Sequence, residues 1–169
     1  EMLRSLVGSE MCIRDRSVAI GRGGLAAPPV GYGAAALGNL YRALGDDEWP
    51  GIVPAAWAGG IRYFDVAPHY GLGLAERRLG ESLRQLPRDE YIVSTKVGRL
   101  LVPQDAAGRT DIDNLFDVPA DHRRVQDYSR DGVLRSIEQS LERLGLDRID
   151  IALVPDPDAH EREALEGAF

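Results

Sequence analysis

Two short apolar runs, each stopped by a charge and followed by a glycine-bearing loop, restrict this chain more than any other feature. The first, I-R-Y-F-D over 61–65, ends in Asp65 and leads through V-A-P-H-Y-G into the amphipathic stretch L-G-L-A-E-R-R-L-G that closes at Gly80. The second, Y-I-V-S-T-K over 91–96, ends in Lys96 ahead of Val97-Gly98-Arg99. Between them Ala75, Leu79, Leu83 and Leu86 share one helical face, with Pro87 as the stop. Arg77, Arg78, Glu81 and Arg84 fall on the other faces and read as a solvated surface. A right-handed strand-helix-strand crossover makes the two strands parallel and puts their carboxyl ends on one rim. A lysine ending a buried strand needs a counter-charge, so Lys96 and Asp65 are expected to meet.

The rest of the chain repeats this alternation. Ser17 to Ile20 and Leu25 to Ala27 flank G-R-G-G and predict a small β-hairpin. Pro29 to Ala35 reads as the first strand of the main sheet, and a short helix is expected to begin near Pro50 or Pro54. Ser129 is placed to cap a helix that carries Val133, Leu134, Ile137, Leu141 and Leu144 and stops at Gly145. Ile149 to Val154 follows as a strand. The order favours a parallel, barrel-type α/β sheet over an antiparallel sandwich. Between Gly98 and Tyr128 runs a long connection rich in Asp, Gly and Pro, expected to act as a lid or substrate loop. Its Arg99, Arg123 and Arg124 read as surface charges, with a sugar or phosphate contact as the alternative.

Composition excludes several classes of partner. With 20 basic against 27 acidic side chains, a net charge of -7 argues against nucleic acid and anionic membranes. No apolar run approaches the roughly 20 residues that span a bilayer. The one cysteine, Cys12, rules out an internal disulfide framework and fits a reducing, cytoplasmic setting. His69, His122 and His160 show no metal-ligand spacing. No G-x-G-x-x-G opens a helix, which argues against a Rossmann site.

Tyr70 lies in the loop that follows Asp65. An ammonium beside a phenol favours the ionised oxygen, which makes Tyr70 near Lys96 a candidate general acid or base. As single residues, Asp65 reads as a loop cap, Tyr70 as a packing residue and His69 as a surface imidazole. Convergence of the three charged and phenolic groups is what carries the functional reading.

The runs F-D-V-A-P-H-Y-G and S-T-K-V-G resemble the aldo-keto reductases. Within that family, G-L-G-L-A-E-R-R-L-G with K-V-G-R-L-L-V-P is most similar to the aldose 1-dehydrogenases, the D-threo-aldose and L-fucose dehydrogenase group. The resemblance implies a (β/α)8 TIM barrel with an N-terminal β-hairpin plugging its bottom. It also implies an NAD(P) cofactor and a small-molecule sugar or carbonyl substrate. Carried over, Tyr70 is the proton-transfer residue, Lys96 its modulator and Asp65 the partner of the lysine. Gly33, Ala34 and Asp65 would lie near the nicotinamide end of the cofactor.

Two departures accompany the resemblance. A complete barrel needs about 250 residues, whereas this 169-residue chain supplies four strand positions. It is expected to be the N-terminal half, over residues 17–169, and inactive as such. Residues 1–16 match nothing in the family and resemble a spurious adapter translation, and they are set apart as a leader. At the end of the fourth strand, D-I-A-L-V-P-D-P-D places Pro155 where the family reads a histidine. Proline offers no side-chain donor or acceptor, so a non-catalytic, aldo-keto-reductase-like binding subunit is the alternative.

Overall fold

The computed structural model describes residues 17–155. The leader, His160 and the expected start of a fourth helix lie outside the described residues. Strands β1 (Val18–Ile20) and β2 (Leu25–Ala27) form the predicted antiparallel hairpin, with Ile20 opposite Leu25. Four parallel strands follow in the order β3 (Tyr32–Gly33), β4 (Tyr63–Asp65), β5 (Ile92–Lys96) and β8 (Ile151–Leu153). The expected first strand over 29–35 is reduced to Tyr32 and Gly33, because Ala34–Gly38 tightens into a 3-10 turn. Three helices cross between these strands: α1 (Ile52–Ala58), α2 (Leu74–Leu83) and α3 (Arg130–Leu144). A short 3-10 turn at Trp49–Gly51 leads into α1, in keeping with a start among Pro50 and Pro54. Ser129 caps α3 by accepting from the Gly132 amide.

The connection between Lys96 and α3 is not an irregular loop. Its ends pair as an antiparallel ribbon, β6 (Arg99–Pro103) with β7 (His122–Gln126), in a register that sets Leu101 opposite Arg124. The paired segments are nineteen or more positions apart in sequence and carry arginines, so neither reads as a strand locally; the pairing comes from long-range contact.

The core lies between the sheet and its helices. Phe64, Val66, Val93, Leu79, Leu83 and Leu144 are fully buried. Residues 92–95 of β5 are buried in succession rather than alternately, as expected of a parallel strand covered on both faces. Tyr32, Phe64, Tyr91 and Trp57 meet edge to face in a chain, each pair with centroids 6.3 Å apart. The Tyr91 hydroxyl donates to the Leu83 carbonyl at 3.2 Å and satisfies the end of α2. Helices α2 and α3 approach so closely that a methyl at Gly80 would overlap the Leu144 carbonyl.

That contact is backbone against backbone and has no flexible side chain to give way. Gly80→Ala is therefore expected to cost about 1–3 kcal/mol in urea unfolding. Gly51→Ala, with nothing within 4 Å of the added carbon, should stay within about 0.5 kcal/mol of the parent.

Candidate active site

The carboxyl ends of the strands stand side by side. Gly33 is opposite Asp65, and Asp65 is opposite Ser94. Lys96, two positions beyond Ser94 on β5, shares its face and reaches back to Asp65. Its Nζ pairs with Asp65 Oδ2 and donates to the Val66 carbonyl at 3.3 Å. The other carboxylate oxygen accepts from Ser94 Oγ at 2.6 Å, and that hydroxyl accepts from the Tyr63 phenol at 3.1 Å. With 18% and 29% of the lysine and aspartate side chains exposed, the pair is only partly screened by water. Lys96 Nζ also lies over the Tyr70 ring, 5.2 Å from its centroid. Asp65, Tyr70 and Lys96 thus occupy one mouth of the sheet.

A tight backbone contact sets the Tyr70 loop. Gly71 has φ +60°, and a side chain there would overlap the Gly38 carbonyl; a methyl on Gly38 would lie 2.7 Å from the Tyr70 carbonyl carbon. Leu72, with φ +51°, continues the left-handed turn into α2. The ring itself is flanked by Phe116, whose centroid is 6.0 Å away and tilted by 35°. Phe116 belongs to a small apolar layer with Leu72, Leu101 and Val118, which folds the β6–β7 ribbon back over the rim.

One ion pair holds that ribbon down. Arg124 contacts Asp111 through two hydrogen bonds of 2.5 and 2.8 Å, and its Nη2 donates to the His69 carbonyl at 3.0 Å. It is partly buried, whereas Arg123 is exposed. Burial opposes ionisation of Asp111, but hydrogen bonds from Arg124 and Asn114 and the charges of Arg124 and His69 outweigh it. The carboxyl pKa is left below its ordinary value of 3.8.

Behind the rim sits a charge that the sequence reading passed over. Glu76 is fully buried; it accepts from Thr95 Oγ1 at 3.0 Å and pairs with Arg143 Nε at 2.6 Å. A buried carboxylate survives because both oxygens are engaged. Thr95 precedes Lys96, so this link ties β5 to α2 and α3 at the position next to the lysine. Its signal in the sequence was Glu76 falling beside Ala75 and Leu79 on the apolar side of α2. Arg78 on α2 is no solvated charge either: it donates to the Leu37 carbonyl at 3.0 Å and to Asn39 Oδ1 at 2.6 Å.

The remaining expected residues are placed less centrally. Gly33 is exposed and has open space where a side chain would start, whereas the Ala34 methyl is fully buried in the core. His69 stacks edge-on against Phe116 at 5.6 Å. His122 Nδ1 lies 2.8 Å from Asp121 Oδ1 on the ribbon. Pro155 follows β8, beside β5, and its carbonyl accepts from the Tyr128 hydroxyl at 3.3 Å.

The Asp111 pKa fixes the sign of a pH dependence. A carboxyl whose folded pKa is depressed contributes stability that is present above 3.8 and is lost as pH falls below it. Hydrogen-exchange protection of the ribbon and the Tyr70 loop should fall over that window. In Asp111→Asn this part of the pH dependence should vanish.

Residues 29–167 match the profile of the Aldo/keto reductase family. The chain is 55% identical over 149 residues to D-threo-aldose 1-dehydrogenase from a Pseudomonas species, covering 86% of this chain and 45% of that protein. It is 42% identical over 146 residues to pyridoxal 4-dehydrogenase from Microbacterium luteolum, covering 82% of this chain and 42% of that one. A solved structure, titled as a putative aldo-keto reductase from Pseudomonas aeruginosa, superposes with a TM-score of 0.64 at 31% identity, covering 91% of this chain and 54% of that chain. The chain spans less than half the length of these two curated relatives. Its parallel strands and crossing helices form part of the (β/α)8 barrel of the solved relative, and the chain belongs to the aldo/keto reductase family.

Proposed function

We propose that this chain supplies the proton-transfer side of an NAD(P)-dependent oxidoreductase site that oxidises an aldose at C1 or reduces a related carbonyl. The observation that carries the reading is the position of the Lys96 ammonium, held by Asp65 and the Val66 carbonyl and lying over the Tyr70 ring. Tyr70 gives or takes the proton on the substrate oxygen. Lys96 supplies positive charge beside the ring as negative charge develops on the phenol oxygen. Asp65 keeps the ammonium oriented, and Ser94 and Tyr63 keep Asp65 oriented.

The rim fits a flat ring at Gly33, where no side chain fills the space beside Asp65. A nicotinamide bound there would exchange hydride with the substrate carbon. Gly33 and the Asp65 edge are the residues of this chain that would lie against it, and Ala34 would take part through its backbone. The 55% identity to an aldose 1-dehydrogenase supports the sugar substrate. As 169 residues, the chain turns over little or nothing, since among the described residues the parallel sheet has open edges at β3 and at β8.

Extending the chain with the part of the Pseudomonas relative that the match does not cover tests this. NAD(P)-linked oxidation of L-fucose should appear in the extended protein and stay near background in the 169-residue chain. Tyr70→Phe should lower kcat of the extended protein by about 10²–10⁴ with little change in KM. Full activity of that variant would remove Tyr70 from the mechanism.

A second reading, a non-catalytic binding subunit, is favoured by Pro155, whose side chain offers no donor or acceptor after the fourth strand. Pro155→His in the extended protein separates the two. A rise of about tenfold or more in kcat marks an enzyme lineage, whereas cofactor binding without turnover in both forms marks the binding role.

A further inference from the structure

A cavity of about 520 Å³ lies at the other end of the sheet from Asp65 and Lys96. Pro28, Pro29 and Val30, on the way out of the hairpin, form one wall; Trp57, Ile61 and Arg62, between α1 and β4, form another. Arg62 immediately precedes β4, so the cavity sits at the amino-terminal ends of the strands, opposite the rim where barrel enzymes carry out their chemistry. Its size is that of a small-molecule site, its walls are mostly apolar, and Arg62 is the one charged residue that lines it.

The guanidinium of Arg62 is held in one orientation. Its Nη1 donates to the Trp57 carbonyl at 2.9 Å and to the Ile61 carbonyl at 2.8 Å, and its plane lies 3.5 Å from the centroid of the Trp57 ring. These contacts use one nitrogen and one face. The Nε–Nη2 edge, whose parallel N–H groups match the two oxygens of a carboxylate, has no hydrogen-bond partner among the described residues. The acids nearest to it in the adjoining polar cleft are committed elsewhere: Asp150 pairs with Arg88 and Arg148, and Asp89 with Arg148. Arg42 and Arg124, by contrast, each meet a carboxylate with two nitrogens.

We propose that this cavity binds an aromatic carboxylate, with the carboxylate on the Nε–Nη2 edge of Arg62 and the ring against Pro28, Pro29, Val30 and Trp57. A fork already fixed by two carbonyls and an indole loses little freedom when it takes up an anion, and prolines add apolar surface with no rotamers to freeze. An anion without a ring would leave the apolar wall in water, and a ring without an anion would leave the fork unmatched. Both halves of the ligand are therefore specified. The site is separate from the reacting groups and stands without the aldose reading.

Naphthoate is the probe. Titrated into the 169-residue chain, it should move the Arg62 Nε–H resonance in NMR spectra with a Kd on the order of 0.1 mM. Naphthalenemethanol, which has the ring without the charge, and acetate, which has the charge without the ring, should each bind about tenfold more weakly or worse. These comparisons use the parent chain and do not depend on a variant folding. Arg62→Met, which keeps an apolar stem over Trp57 and removes the fork, should weaken naphthoate about tenfold, read by calorimetry. In the extended protein naphthoate should still move the Arg62 resonance. No shift in the parent, equal affinity for naphthalenemethanol or acetate, undiminished binding in Arg62→Met, or loss of the shift on extension each overturns the proposal.

Discussion

A charged amine at the end of a buried strand is the constraint to which the rest of this structure answers. Lys96 follows four buried residues of β5, so its charge emerges where the sheet stops and must be met within reach of its own stem. Asp65 meets it from the next strand, which requires β4 and β5 to be parallel, adjacent and in the register observed. A one-residue slip would turn either side chain to the opposite face. The crossover helix, the length of the loop before it and the stop of each strand all serve that single alignment.

Much of this alignment is legible in the letters because it is local. The apolar runs ending at Asp65 and Lys96, the serine cap at Ser129 and the hairpin around G-R-G-G each act within a few residues, and each formed where expected. What escaped is held together over distance. The ribbon of β6 and β7 exists because Leu100 meets Val125 and because Arg124 finds Asp111, and no short window contains both halves. Arg78 and Glu76 were misjudged or overlooked for a related reason. Helical periodicity places a side chain on a face, but it does not say whether a loop or a second helix will cover that face. The shortened first strand is a different matter: three alanines after Gly33 curl at the edge of the described sheet.

The polar groups that do lie inside are paired rather than scattered. Glu76 is held by Thr95 and Arg143, Asp150 accepts from the Val93 amide and from Arg88, and Asp111 grips Arg124. Each links elements distant in sequence, and each would leave a partly or fully buried charge unpaired if one partner were removed. Such links specify one arrangement of helices on the sheet more sharply than apolar contact does, because the hydrogen-bond geometry tolerates little sliding. Two of the three adjoin the site in sequence: Thr95, bonded to Glu76, precedes Lys96, and Arg124, paired with Asp111, donates to the carbonyl of His69 next to Tyr70.

The Gly38–Gly71 contact carries a consequence for how freely this rim can change. Where the phenol-bearing loop rests on the preceding turn, main chain touches main chain, and the side chains around it do not set the spacing. Exposed residues of the ribbon, such as Arg123, and of the segment after Asn39 can therefore be exchanged to suit another ligand without moving the reacting groups, provided that both glycines and Arg124 are retained. Diversification of the mouth and conservation of its floor are separable in this fold, and the boundary between them runs through two residues that have no side chain at all.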